Sequence, residues 1–146
     1  MGESLNLFGF ITDYLETEKA EAGLYSPLTL AYIGDGIYEI IIRTYIVTMS
    51  GNEQVNKLHK KSSSLVKAET QAKLIHAIME ELNPEEERIY KRGRNAKSFT
   101  SAKNASIGDY RTATGFEALC GYLYMKGDME RLLFLVKTGL EKLEKI

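Results

Sequence analysis

Apolar residues recur at helical spacing along most of the chain. Between positions 52 and 81 they fall at Val55, Leu58, Leu65, Val66, Ala68, Ala72, Leu74, Ile75, Ile78 and Met79, the pattern of an amphipathic helix. The run Ser62-Ser63-Ser64 predicts a break of that segment into a short helix and a long one. Residues 110–125 and 128–145 read as two further helices separated by Gly127. The last carries Leu132, Leu133, Leu135, Val136, Leu140 and Leu143 on an apolar face, with Asp128 placed to cap it. Ser26-Pro27 and Asn83-Pro84 each read as an N-cap followed by the first helical residue. The three glutamates after Pro84 suit a helix N-terminus. Residues 1–23 predict a short amphipathic helix (Leu5, Leu7, Phe8, Ile11, Leu15), and the polar stretch 96–108 predicts a long exposed loop.

One segment is ambiguous on pattern alone. Residues 28–47 are rich in Ile, Tyr and Val, which favour strands, and Asp35-Gly36 between two apolar runs resembles a hairpin turn. As a helix, the same segment is apolar nearly all round, with Asp35, Glu39 and Arg43 along one line at i, i+4 and i+8. Such a helix must be central, or shared between the core and a partner subunit.

Composition narrows the classes. The 146 residues fit one domain with one core, and 44% apolar with 27% charged residues is ordinary for a globular protein. The formal net charge of −1 excludes a protein that coats nucleic acid by bulk charge, so any such site must come from local clusters of Lys and Arg. The lone Cys120 excludes an internal disulfide or cysteine-based zinc site, and its apolar neighbours predict a buried core thiol. No signal peptide is evident, since no Lys or Arg precedes Lys19, and Asp35, Glu39 and Arg43 interrupt the longest apolar stretch. A reducing cytoplasm is the expected compartment.

Two carboxylates stand alone among apolar residues. Between Glu21 and Arg43 the only charges are Asp35 and Glu39; between Arg111 and Lys126 the only charge is Glu117. A buried unpaired carboxylate must find a partner, a metal or a proton. Gly34 and Gly36 flank Asp35, and Gly115 and Gly121 lie around Glu117, which allows something to approach the backbone closely. One reading has Asp35 and Glu117 converging on a divalent ion, for which hard oxygen ligands suit Mg²⁺. The other has a turn aspartate and a helix-surface glutamate.

The segment Leu30-Ala-Tyr-Ile-Gly-Asp-Gly-Ile-Tyr-Glu39 resembles the signature helix of the ribonuclease III family, built on a Leu-Gly-Asp core. Ala113-Thr-Gly-Phe-Glu-Ala-Leu-Cys-Gly121 resembles that family's second active-site helix. His59-Lys-Lys-Ser-Ser63 and Lys91-Arg-Gly-Arg-Asn-Ala-Lys97 are similar to its short branch, Mini-ribonuclease III, which lacks an appended double-stranded-RNA-binding domain. The resemblance runs from about residue 28 to 124, with four motifs in order.

It implies an all-α endonuclease fold, a homodimer built around the signature helix, and one Mg²⁺-dependent site per subunit. It implies catalytic and metal-binding roles for Asp35 and Glu117, and a helix over 28–47. The branch is associated with maturation of large-subunit (23S) ribosomal RNA, so a ribosomal RNA precursor stem is the expected substrate and the ribosomal particle a possible aid. The expected products are 5′-phosphate and 3′-hydroxyl ends. Two departures from the larger enzymes stand out: Ala31 where they carry a Glu, and Thr114 where they carry an Asp. Both resemble the short branch. They thin the protein ligands to two, with Asp109 and Glu39 as further candidates; an i,i+4 pairing of Glu39 with Arg43 is the plainer reading.

The whole chain, 1–146, is then expected to be one catalytic domain that grips RNA with its own loops. A-form RNA presents phosphates and a broad minor groove. Lys91, Arg92, Arg94 and Lys97 form the densest basic cluster, with Asn95 among them; Lys103 and Arg111 flank the polar loop; Lys60 and Lys61 form a smaller group. These are the candidate RNA-binding residues. His59 is assigned to packing or RNA contact and His76 to an ordinary helix position. The competing readings are a non-catalytic RNA-binding dimer, and a helical scaffold in which Asp35 is structural.

Overall fold

The computed structural model describes residues 6–97 and 106–146. Among them are α-helices and short 3-10 turns and no strand, so the all-α expectation holds. Leu5, Lys103 and most of the predicted 96–108 loop lie outside the described residues.

Helix α1 (Leu7–Tyr14) starts where the Asn6 side chain accepts a hydrogen bond from the Gly9 amide at 2.9 Å. Helix α2 (Pro27–Ser50) covers the whole ambiguous segment, so the hairpin reading falls. Ser26 caps it by accepting from the Thr29 amide, Pro27 opens it, and Gly51 closes it at φ 66°. Caps at both ends and burial of one side outweigh the strand preference of its Ile, Tyr and Val residues.

The predicted break at the serines is corrected. Helix α3 (Val55–Val66) runs through all three serines, and the chain breaks at Lys67, where ψ is 154°, before α4 (Ala68–Ala77). The serines stay helical because Ser62 donates to the Leu58 carbonyl at 2.6 Å and Ser64 to that of Lys61 at 2.7 Å. Side chains from α4 meet carbonyls at the end of α3: Thr70 donates to Ser64 at 2.6 Å and Gln71 to Val66 at 2.8 Å. The second helix is also shorter than expected, and Met79–Glu81 form a 3-10 turn.

Helix α5 (Pro84–Asn95) begins with a reciprocal capping box between Asn83 and Glu86. Helix α6 (Ile107–Lys126) is capped by Ser106 and stopped by Gly127 in the left-handed region, φ 84°. Helix α7 (Met129–Lys142) starts where Asp128 accepts from the Arg131 amide, as predicted, and ends three residues before the predicted limit.

Helix α6 is the hub, with α1, α2, α4, α5 and α7 packed against it. Residues 118–124 on it are all buried, including Cys120, which is fully inaccessible as expected. Glycines set the closest crossings. A side chain at Gly34 would collide with the Glu117 carbonyl, and one at Gly121 with the Leu30 carbonyl, so α2 and α6 touch backbone to backbone. Gly93 of α5 similarly meets Gly115 of α6: a Cβ added there would lie 2.9 Å from the Gly115 Cα. Gly36 differs from the expectation, having open space around it.

Tyr38 anchors α2 to two neighbours. Its ring meets Phe116 edge-on at 5.2 Å and its hydroxyl donates to the Leu65 carbonyl at 2.7 Å. Glu86 is buried and receives Arg131 through two hydrogen bonds of 2.9 Å, while Arg131 also donates to the Glu81 carbonyl. Burial pushes the Glu86 carboxyl up, but the bonds from Arg131 and the Asn83 amide outweigh it and hold the group below the usual range. No described helix is long and apolar enough to cross a membrane.

Candidate active site at the crossing of α2 and α6

The crossing of α2 and α6 places two carboxylates together. Asp35 follows Gly34, which lies on the Glu117 carbonyl, so the close backbone approach brings the two acids to the same spot. The two side chains lie close enough for the charge of Asp35 to act on the Glu117 carboxyl. Asp35 is exposed, whereas Glu117 is largely withdrawn from solvent. Burial first, and the like charge of Asp35 second, push the Glu117 carboxyl up to about 8.

A third polar group adjoins the pair. Gln71, 2% exposed on α4, donates from Nε2 to Glu117 Oε2 at 3.3 Å. Its Oε1 is buried without a partner. Sequence reading missed Gln71. The available signal was a glutamine on the face of α4 that also carries Leu74 and Ile75, which are fully buried.

Two crowded carboxyl groups, one of them pushed toward its neutral form by burial and repulsion, make a set of hard oxygens short of positive charge. That donor set fits a small divalent cation such as Mg²⁺, which binds through one or two carboxylates and retains water. No group of three or more His, Cys, Asp or Glu gathers among the described residues, in keeping with the two departures. Ala31 is buried, and the Thr114 hydroxyl donates back to the Tyr110 carbonyl at 2.9 Å. Glu39 pairs with Arg43 at 3.0 Å, the plainer of its two readings. Asp109 lies in the first turn of α6, eight residues before Glu117.

The basic candidates separate into two regions. Arg92 and Arg94 flank Gly93 on α5, and Gly93 packs on Gly115, two residues from Glu117. Arg94 lies 5.6 Å over the Tyr90 ring and donates to Asn95 Oδ1 at 3.1 Å. Lys91 pairs with Glu87 at 3.2 Å, and Lys91, Arg92 and Asn95 line an open cleft with Arg88 and Pro27. Lys97 is exposed after α5, and Arg111 is exposed on α6. Lys60 and Lys61 stand apart on α3, where Lys61 bonds Glu53 at 2.7 Å and Ser50 at 2.9 Å; His59 and His76 are exposed.

A helical hub with an Asp-Glu pair at a glycine-mediated crossing defines a class. Residues 28–128 match the Ribonuclease III domain family model, so the chain belongs to the ribonuclease III family, a family of endoribonucleases. Similar proteins include a Mini-ribonuclease 3 of Clostridium tetani, 52% identical over 129 residues, covering 88% of this chain and 85% of that one. A Mini-ribonuclease 3 of Enterococcus faecalis is 50% identical over 117 residues, covering 79% and 88%. A crystal structure of a Fusobacterium nucleatum protein superposes with a TM-score of 0.74 at 27% identity, over 86% of this chain and 99% of that one. These relatives place the chain in the Mini-ribonuclease 3 branch.

The carboxylate pair predicts a pH signature in the metal-free protein. Folded Glu117 keeps its proton up to about pH 8, whereas the unfolded carboxyl releases it near 4.5. Between those values the folded state binds the extra proton, so this group's contribution to stability is complete at low pH and is lost as pH rises through 8. In chelator, the melting temperature should fall from about pH 6 to about pH 8.5, and less so in Asp35→Asn, which lacks the like charge. Circular dichroism melts check this; an equal fall in both proteins would show that the two acids do not interact.

Proposed function

We propose that this chain is a Mg²⁺-dependent endoribonuclease that cuts double-stranded RNA as a homodimer, with Asp35 and Glu117 as its catalytic, metal-binding carboxylates. The observation that carries the reading is their convergence at the α2–α6 crossing, where Gly34 lies on the Glu117 carbonyl and the charge of Asp35 acts on the Glu117 carboxyl. Family membership supports phosphodiester hydrolysis, and the relatives' names support RNA as the substrate. Residues 1–146 act as one catalytic unit in the cytoplasm. The proposed substrate is a precursor stem of 23S ribosomal RNA, with the ribosomal particle helping to present it.

A bound Mg²⁺ supplies charge neutralisation at a phosphate and makes a nearby water more acidic. The chain's own residues do the rest. Asp35 and Glu117 fix where that charge sits. Arg92 and Arg94, with Lys91, Asn95 and Lys97, take the phosphates of the duplex beside the α5–α6 contact, and Arg111 extends that surface; Lys103, outside the described residues, is a further proposed phosphate contact. Lys60 and Lys61 contribute at a second patch. In-line attack by water on phosphorus breaks the bond to the 3′ oxygen, which leaves with a proton. The products are a 5′-phosphate and a 3′-hydroxyl.

The dimer reading rests on α2. Leu28, Tyr32, Ile40 and Val47 are exposed along one stripe, with Gly36 between them. Tyr32 is 82% exposed and Ile40 54%, large apolar side chains on one side of α2 that a second copy of the helix would cover. Two subunits joined there would present two sites to one duplex and cut its strands on a short stagger.

Incubation with a structured duplex RNA, with Mg²⁺ or with chelator, tests the activity. Metal-dependent cleavage is expected to drop more than about a hundredfold in Asp35→Asn, the loss of several kcal/mol of charge stabilisation. Binding without cleavage would favour a non-catalytic RNA-binding dimer, and no binding a scaffold. Arg94→Ala should weaken duplex binding and lower the slope of log affinity against log salt by about 1; an unchanged slope would remove Arg94 from the phosphate contacts. Ile40→Asp should convert a dimer to monomer in sedimentation equilibrium, and a wild-type monomer would end the dimer reading.

A further inference from the structure

Gln71 is a buried polar side chain whose arrangement the nuclease chemistry above leaves unexplained. Its Nε2 lies 2.8 Å from the Val66 carbonyl and 3.3 Å from Glu117 Oε2, so both N–H groups are used. Its Oε1 is the one buried side-chain nitrogen or oxygen without a hydrogen-bond partner among the described residues. A buried acceptor left unmet is unfavourable and uncommon.

Turning the amide over would not help. Oε1 would then face the Val66 carbonyl, which can only accept, and Nε2 would take the position without a partner. The amide is therefore locked with its donor edge on Glu117, and the unmet oxygen follows from that lock. Closing the end of α3 does not demand this residue by itself, since Thr70 already donates to the Ser64 carbonyl there. No Lys or Arg forms an ion pair with Glu117 among the described residues. Gln71 is thus the side chain that fixes the Glu117 carboxyl from the α4 side.

We propose that Gln71 is a positioning residue for the divalent cation, holding the Glu117 carboxyl group in place beside Asp35. This rests on the reading of Asp35 and Glu117 as the metal-binding pair. Groups that hold a metal ligand from behind commonly alter metal affinity by about 10–100-fold when removed.

The test is Mn²⁺ binding to the RNA-free protein, read from the electron paramagnetic resonance of free Mn²⁺ well below the melting temperature. Wild type, Asp35→Asn, Gln71→Met and Gln71→Asn are compared, with circular dichroism confirming the fold. Gln71→Met keeps the volume and removes the donor; its Kd for Mn²⁺ should rise about tenfold or more. A role in packing alone would lower the melting temperature and leave Kd in the folded protein unchanged, and that result overturns the proposal. Should Gln71→Met not fold, Gln71→Asn decides. Its amide is one methylene too short to reach both partners, so a several-fold rise in Kd supports the proposal and a wild-type Kd overturns it. If Asp35→Asn loses Mn²⁺ while both Gln71 variants keep it, the carboxylate reading stands and the Gln71 proposal fails. If wild type binds Mn²⁺ no better than Asp35→Asn, both fail.

Discussion

The contact between the backbones of α2 and α6 is the constraint on which the rest of the structure depends. Two glycines make it, Gly34 on the Glu117 carbonyl and Gly121 on the Leu30 carbonyl, one on each helix. A side chain at either point would separate the helices by more than packing could absorb. The same contact has two effects. It lets α6 become the hub of the fold, and it forces Asp35 and Glu117 into mutual reach. Stability and chemistry therefore share one geometric cause.

That sharing has an electrostatic side. Placing a second carboxyl beside a buried one raises the energy of the doubly ionised state. The surrounding core offsets the strain. Tyr38 locks α2 to Phe116 and to the end of α3, and Arg131 neutralises buried Glu86 where α5 begins. The scaffold around the crossing is satisfied, while the crossing itself keeps one protonated acid and one unmet amide oxygen. Local departures of this kind concentrate at working sites.

Much of this was legible in the sequence. Caps at Ser26, Asn83 and Asp128 and the stop at Gly127 are where local chemistry predicts them, because capping depends on residues within one turn. The choice between helix and hairpin for residues 28–47 was not local; it needed the resemblance, since the segment is apolar on both sides and its period carries little information. The serine run misled because a hydroxyl that bonds back to the preceding turn tolerates a helix interior. The lone positions of Asp35 and Glu117 pointed to a shared site, and the glycines to a close approach, but what approaches is the other helix. Gln71 escaped because a single polar residue on an apolar face looks like noise until its partners are known.

The contact of Gly93 with Gly115 has a consequence for how such an enzyme can change over time. The backbone at the basic end of α5 is pinned to α6, while Arg92, Arg94 and Asn95 project from it. Side chains there can be exchanged without altering the register of the two helices. On the proposed reading, preference for one RNA shape over another can then drift through surface substitutions without changing the spacing of the acids. If α5 meets the RNA as proposed, a lineage can explore new substrates there while the α2–α6 crossing is inherited unchanged.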